Sequence, residues 1–474
     1  MAAAKGLIVR SALAAAFAAI HSATFATDYY VTKQGNDTQT GTTRTAAWGT
    51  IQKGVDALQA GDSLTIGPGE YAESIKRTGL GDAEHETTIR AEIPGTVLLR
   101  GDVLAPVFQP VPNQQFVSVA DFVFAGEIPV VNEIDTLTIL KRMPNAAELA
   151  YVPGTFFHDA AAGKLYIASS DLRPAQMHHY SVSINPTHGV YLVDPKRVVI
   201  DGLAVTGFNA LRLPHYREGT VGGIWGIFLV SAKSCIIRNC QAYLNAWGIG
   251  LNSAAIGSGD NIIERCTAWG NTSAFANGDM GGLTIFNARR DVIRESTAYR
   301  NGMYGINIYG TGGAPPGGND GGNDPENRSL LVRNLAWGNE TADFKVKTGY
   351  EYFHSIENCV GPGLWSATNV TRGLSGKSHA KDAENSIVLE NETGIDPGSE
   401  FADRSGSIQA ASLPIPIATT IACKARRAFA ERAPMARTGD HFATSPTSSI
   451  CKGMETIRPM GCRGRTPGKR STGL

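Results

Sequence analysis

The stretch Cys235-Ile-Ile-Arg-Asn-Cys-Gln-Ala-Tyr-Leu-Asn245 recurs as Asn261-Ile-Ile-Glu-Arg-Cys-Thr-Ala-Trp-Gly-Asn271 and as Asp291-Val-Ile-Arg-Glu-Ser-Thr-Ala-Tyr-Arg-Asn301. A fourth copy, Ser329-Leu-Leu-Val-Arg-Asn-Leu-Ala-Trp-Gly-Asn339, reads with a small slip in register. A second apolar piece follows each Asn: Gly248-Ile-Gly-Leu-Asn252, Gly282-Leu-Thr-Ile-Phe-Asn287, Gly305-Ile-Asn-Ile-Tyr309 and Asp343-Phe-Lys-Val-Lys347. Apolar residues alternate in these pieces, and each is too short for an ordinary helix, so they are strands with one buried face. Repeats of this size cannot bury that face alone and must stack on one another. The pattern predicts an all-β chain folded as a right-handed parallel β-helix, a solenoid.

Asn245, Asn271, Asn301 and Asn339 then form a ladder at one corner of the coil, because Asn tolerates left-handed backbone and hydrogen-bonds neighbouring backbone. Tyr243, Trp269, Tyr299 and Trp337, each two residues before the Asn, are expected to stack on one another. Cys240 and Cys266 fill one slot in successive rungs and Ser296 fills it in the next. Such cysteines are small residues stacked inside the coil, not disulfide partners.

Around the repeats the chain divides into five parts. Residues 1–26 read as a secretory leader, with Lys5 and Arg10 before an apolar run from Ala12 to Ile20, so a secreted, extracellular or periplasmic protein is expected. Residues 27–101 hold the first rungs and a cap, in which Ile51, Val55 and Leu58 fall at helical spacing. Residues 102–182 lose the rung pattern and carry a β-hairpin, Thr155-Phe-Phe-His158 with Lys164-Leu-Tyr-Ile167. The main coil occupies 183–403, and 404–474 is an atypical basic tail in which disorder is expected. Lysine and arginine balance aspartate and glutamate at 43 each across 474 residues, which gives no sign of a nucleic-acid or membrane partner. The chain is expected to act as a monomer.

Strand alternation also sorts the second pieces into inward and outward residues. Outward lie Asn252, Thr284, Phe286, Asn307 and Tyr309, then Lys345 and Lys347. Amides, hydroxyls, aromatic rings and cations in one strip suit a polysaccharide, whose hydroxyls pair with amides and whose apolar ring faces stack on aromatics. Two lysines on one face each disfavour the other's protonation, which suits one to act as a general base. The other would hold a carboxylate as negative charge builds beside it. Exposed lysines on a sheet also serve as solubility devices.

The segment Asn339-Glu-Thr-Ala-Asp-Phe-Lys-Val-Lys347, followed by His354-Ser-Ile-Glu-Asn-Cys359, resembles the family 9 polysaccharide lyases of the pectate lyase-like superfamily. The resemblance implies that Lys345 is the base for β-elimination of a uronate-containing polysaccharide. It also implies a calcium ion, held in that family by aspartates of two preceding rungs. This chain has Gly248-Ile-Gly-Leu251 and Gly305-Ile-Asn-Ile308 at the comparable places, which leaves Asp279, Asp320 and Asp324 as the candidate calcium ligands. Arg289, Arg290 or Lys347 are candidates to replace the metal as the carboxylate clamp. Two other functions fit the same scaffold. A glycoside hydrolase needs two carboxylates about 5 to 10 Å apart, with Asp201, Asp279, Asp291, Asp343 and Glu351 as candidates. A non-catalytic carbohydrate-binding or surface protein needs neither base nor acid.

Overall fold

The computed structural model describes residues 26–210, 223–253, 255, 257–272, 281–309 and 329–340, with the backbone of the short strands from Ala342–Val346 to Ile408–Gln409. The leader, Lys347, Asp279, Asp320, Asp324 and nearly all of the tail lie outside the described residues.

Three parallel sheets wind into one parallel β-helix. In a typical rung, Ile236–Arg238 belongs to the first sheet, Gln241–Tyr243 to the second and Trp247–Asn252 to the third, after which Ile262–Glu264 begins the next rung. Inward side chains stack in columns. Ile237, Ile263, Ile293 and Leu331 line the first sheet, and Ala242, Ala268, Ala298 and Ala336 the second. All eight are at most 1% exposed. The copy at Ser329 pairs without any slip, Leu331 on Ile293 and Trp337 on Tyr299, because a displacement of one residue would turn every inward side chain outward.

From Ser234 to Asn339 the described corners pair a residue with left-handed backbone with a buried polar or small residue directly after it. Leu244, Gly270, Arg300 and Gly338 have φ of 55°, 60°, 52° and 62°, and the four ladder asparagines come directly after them. The left-handed position is therefore the residue before Asn, not Asn itself as the sequence suggested. Asn is freed to bond along the stack: the Asn245 backbone N–H donates to Asn271 Oδ1 at 3.2 Å, Asn271 to Asn301 at 3.2 Å, and Asn301 to Asn339 at 3.0 Å. A second ladder runs through Cys235, Asn261, Asp291 and Ser329. A third runs through Cys266, Ser296 and Asn334, where the side-chain oxygen of one rung again accepts from the backbone of the rung before. Cys235, Cys240 and Cys266 are buried free thiols. Tyr243, Trp269, Tyr299 and Trp337 stack as expected, with ring centroids 4.2, 5.9 and 4.5 Å apart in turn.

The helix Ile51–Ala57 covers the first rungs and buries Ile51, Gly54 and Val55. A Cβ at Gly54 would lie 2.6 Å from a Leu64 methyl, so the helix can approach that closely only with glycine there. Among the described residues no helix is long and apolar enough to cross a membrane.

Between Val97–Arg100 and Val190–Val193 the chain leaves the coil. Eight strands from Asp102–Leu104 to Tyr180–Ser183 form one mostly antiparallel sheet with its own core around Phe108, Leu140, Phe156 and Ile167. Thr155–Asp159 and Lys164–Ala168 make the expected hairpin. Asp159 Oδ1 accepts from the Ala162 N–H at 2.9 Å to close its turn, and His158 is buried edge-on to Phe122. The chain returns through Ile184 and Asn185, whose N–H groups both donate to the Gly101 carbonyl. Far along the coil Ile408–Gln409 still pairs with Ile387–Val388, although the sequence periodicity has lapsed by then.

Candidate functional site: the outer face of the third sheet

The third sheet runs Ile75–Thr78, Val190–Val193, Trp225–Val230, Trp247–Asn252, Gly281–Phe286, Tyr304–Tyr309 and Ala342–Val346. Its register aligns Lys76, Tyr191, Phe228, Gly250, Thr284, Asn307 and Lys345 in one row. A second row aligns Val230, Asn252, Phe286 and Tyr309. The structure thus brings Thr284, Asn307 and Lys345 onto neighbouring strands in one row, with Asn252 and Phe286 beside them.

This face is not an open strip. Thr284 and Asn307 are 0% exposed, Phe286 4% and Asn252 7%. Aromatic rings crowd it. Trp225 stacks on Phe228 at 4.6 Å and lies 4.4 Å from Trp247, with Phe286 edge-on to it at 5.8 Å. Gly250 makes this possible: a Cβ there would come within 2.5 Å of the Trp225 ring. The glycines after each aromatic face the opposite way. A Cβ at Gly226 would meet Asn245 Nδ2 at 2.8 Å, and one at Gly248 would meet Asn271 Nδ2 at 3.1 Å. The recurring aromatic-Gly-Ile of Trp225, Trp247 and Tyr304 places a ring outside and leaves room for the Asn ladder inside.

Within this buried face several polar atoms have no hydrogen-bond partner among the described residues: Thr284 Oγ1, both amide atoms of Asn307, and Trp225 Nε1. Leaving such a group unpaired costs about 1–3 kcal/mol, so buried groups of this kind are ordinarily matched by protein, water or a ligand. Asn252 Oδ1, by contrast, accepts from Asn287 Nδ2 at 3.1 Å.

His188 stands at the edge of the same face. Its ring stacks on Tyr191 at 4.5 Å, and its Nδ1 accepts from the Trp225 backbone N–H at 3.1 Å. Burial, with Lys76 nearby, pushes its pKa down to about 4. The ring is therefore neutral at pH 7, and with Nδ1 acting as acceptor its proton sits on Nε2. Sequence reasoning missed His188, Tyr191 and Lys76, because the insertion separates the two strands that carry Lys76 and Tyr191. The repeated Trp-Gly-Ile at Trp225 and Trp247 was the one available signal for the aromatic wall.

The remaining candidates lie elsewhere. Arg290 pairs with Asp260 through Nε and Nη2 at 2.5 and 2.7 Å, at the turn that leaves the third sheet. The Arg289 N–H donates to Asp291. Asp201 accepts from Arg238 Nε at 2.8 Å and Asn239 Nδ2 at 2.7 Å at the end of a first-sheet strand. Asp291 is fully buried in a ladder, and burial raises its pKa to about 6. The candidate ligands for the calcium ion implied by the resemblance, Asp279, Asp320 and Asp324, lie outside the described residues. The first row carries Gly250, Thr284 and Asn307 without a carboxylate, and no cluster of three His, Cys, Asp or Glu suited to a metal occurs among the described residues.

No family model and no curated protein matches the chain. Among solved structures, XylC in complex with xylose is similar at 12% identity and a TM-score of 0.49, over 76% of this chain and 68% of that one. A glycoside hydrolase is similar at 11% identity and a TM-score of 0.47, over 82% of this chain and 100% of that one. The pectate lyase Pel9A is similar at 12% identity and a TM-score of 0.39, over 79% and 74% of the two chains.

Proposed function

We propose that the protein binds a polysaccharide across the outer face of the third sheet and cleaves a uronate-containing chain by β-elimination, with Lys345 as the base. The observation that carries this is the row Thr284, Asn307 and Lys345, in which buried, unpaired hydroxyl and amide groups lead rung by rung to a lysine. A sugar chain supplies the donors and acceptors that these groups lack, and its apolar ring faces suit the neighbouring aromatic wall.

In the reaction a neutral Lys345 amine takes the proton from the carbon beside the uronate carboxylate. The electron pair left behind forms a carbon–carbon double bond, the glycosidic carbon–oxygen bond on the next carbon breaks, and the leaving oxygen takes a proton from water. The free Asn307 N–H is one strand away and is suited to hold the carboxylate as charge builds on it. Lys347 favours the neutral form of Lys345 by its own charge. Two-carboxylate hydrolysis is less well supported. Asp201 is held by Arg238 and Asn239, Asp291 is held within a ladder, and neither belongs to the third sheet, while the side chains of Asp279, Asp343 and Glu351 lie outside the described residues.

The test is ultraviolet absorbance on pectate, alginate and glycosaminoglycans, with and without calcium. Unsaturated uronate should accumulate with one of them, and Lys345→Ala should lower the rate about 10²- to 10⁴-fold. A flat trace on every polymer overturns the elimination, and release of reducing sugar without a double bond would establish hydrolysis instead.

A further inference from the structure

We propose that Lys76, His188 and Tyr191 form a second subsite on the third sheet, one that takes a carboxylate-bearing sugar of the same chain. This rests on the outer face of the sheet being the polysaccharide face. Lys76 and Lys345 stand at the two ends of one row of the register, six strand steps apart, which is about 29 Å at 4.8 Å per step. Between them the row is uncharged: Tyr191, Phe228, Gly250, Thr284 and Asn307. A polymer laid along it therefore meets a cation at the far end as well as at the reacting end.

Three features at that far end suit an acidic sugar. Lys76 is exposed, and among the described residues no carboxylate pairs with its ammonium. His188 offers a fixed neutral donor, because Trp225 occupies Nδ1 and leaves the proton on Nε2. Burial keeps the ring uncharged, so this N–H orients a ligand oxygen without a second positive charge beside Lys76. Tyr191, half-buried and stacked on His188, adds an aromatic surface, and Phe228 continues it at 6.1 Å. A cation, an oriented N–H donor and a ring face together recognise a carboxylate, a neighbouring hydroxyl and the apolar side of a pyranose.

The experiment is affinity electrophoresis of the full chain at low salt, in gels cast with pectate, alginate or fully methyl-esterified pectin. Lys76→Gln should weaken retardation by pectate or alginate about fivefold, the scale of one exposed charge pair, and leave retardation by the esterified polymer unchanged. Lys76→Arg should restore it, and His188→Phe, which keeps a ring but removes the N–H, should weaken it in the same direction. Equal retardation of wild type and Lys76→Gln by every acidic polymer that retards the wild type overturns the subsite, as does an equal loss on the esterified polymer. Retardation that depends on Lys76, with no unsaturated product, keeps the subsite and overturns the elimination. No retardation by either acidic polymer overturns both.

Discussion

Asp291 takes the place in its rung that Asn261 takes in the rung before, and the exchange has an electrostatic cost. Its Oδ1 accepts from the Asn261 backbone and side-chain N–H groups, both at 2.9 Å, and its Oδ2 accepts from Ser253 Oγ and the Arg289 N–H, both at 2.8 Å. Four donors favour the carboxylate, yet complete burial outweighs them and raises the pKa from 3.8 to about 6. The folded chain therefore keeps a proton that the unfolded chain releases between pH 4 and pH 6. The stabilisation is fully present below pH 4 and is lost as pH rises through 6, about 3 kcal/mol in all. Asp291→Asn should remove that loss and so shift the difference between denaturant midpoints at pH 7 and pH 4 toward greater stability at pH 7, on top of the opposite contribution of His188, whose pKa falls to about 4 in the fold and whose stabilisation grows as pH rises from 4 to 7. An unchanged difference would show that Asp291 titrates normally. Asp82, held down to about 2 first by its hydrogen bond from His85, acts in a separate window below pH 4 and in the opposite direction.

Among the elements, the corners are what repeat most strictly. Asn245, Asn271, Asn301 and Asn339 were legible in the sequence because one residue type fills every rung of that ladder. The ladder through Cys235, Asn261, Asp291 and Ser329 was not, because its slot accepts any small side chain with an acceptor, and four residue types do the same work. The left-handed positions were also hidden, since Leu244 and Arg300 stand where Gly270 and Gly338 stand in the next rungs. A non-glycine residue costs roughly 1–2 kcal/mol in that conformation. Arg300→Gly should therefore leave stability unchanged or raise it by up to about 1 kcal/mol, while Arg300→Val, β-branched at the same φ, should lower it by about 1–2 kcal/mol. Chemical denaturation of the pair is the check, and equal midpoints would show that the corner carries no strain. The aromatic-Gly-Ile strands follow the same logic. Glycine is set by the Asn ladder behind it, so the ring before it is free to face outward.

For the molecule as a whole, a solenoid must protect its ends, and the N-terminal end uses a device drawn from a distant loop. Thr50 makes no side-chain cap to the helix Ile51–Ala57; instead Glu73 accepts from the N–H groups of Ile51 and Gln52 at 3.0 and 3.1 Å. Glu73→Gln should cost about 1 kcal/mol through loss of the anion at the helix start. Faster hydrogen exchange at Leu64 and Ile66 beneath the helix should accompany it, and unchanged exchange there would show that the cap does not depend on the charge. By itself the sequence determined the parallel β-helix, the inward columns, the Asn ladder, the aromatic stack and the row Thr284, Asn307 and Lys345. Each of these recurs at a fixed interval, and stacking places residues one repeat apart in contact. Only the tertiary structure decided that the outer face of the third sheet is a buried aromatic wall with unpaired polar atoms, and that Lys76, His188 and Tyr191 stand at its end. Those contacts join strands separated by the inserted sheet, or arise where rings from three rungs crowd over one glycine, and no local period in the sequence encodes either.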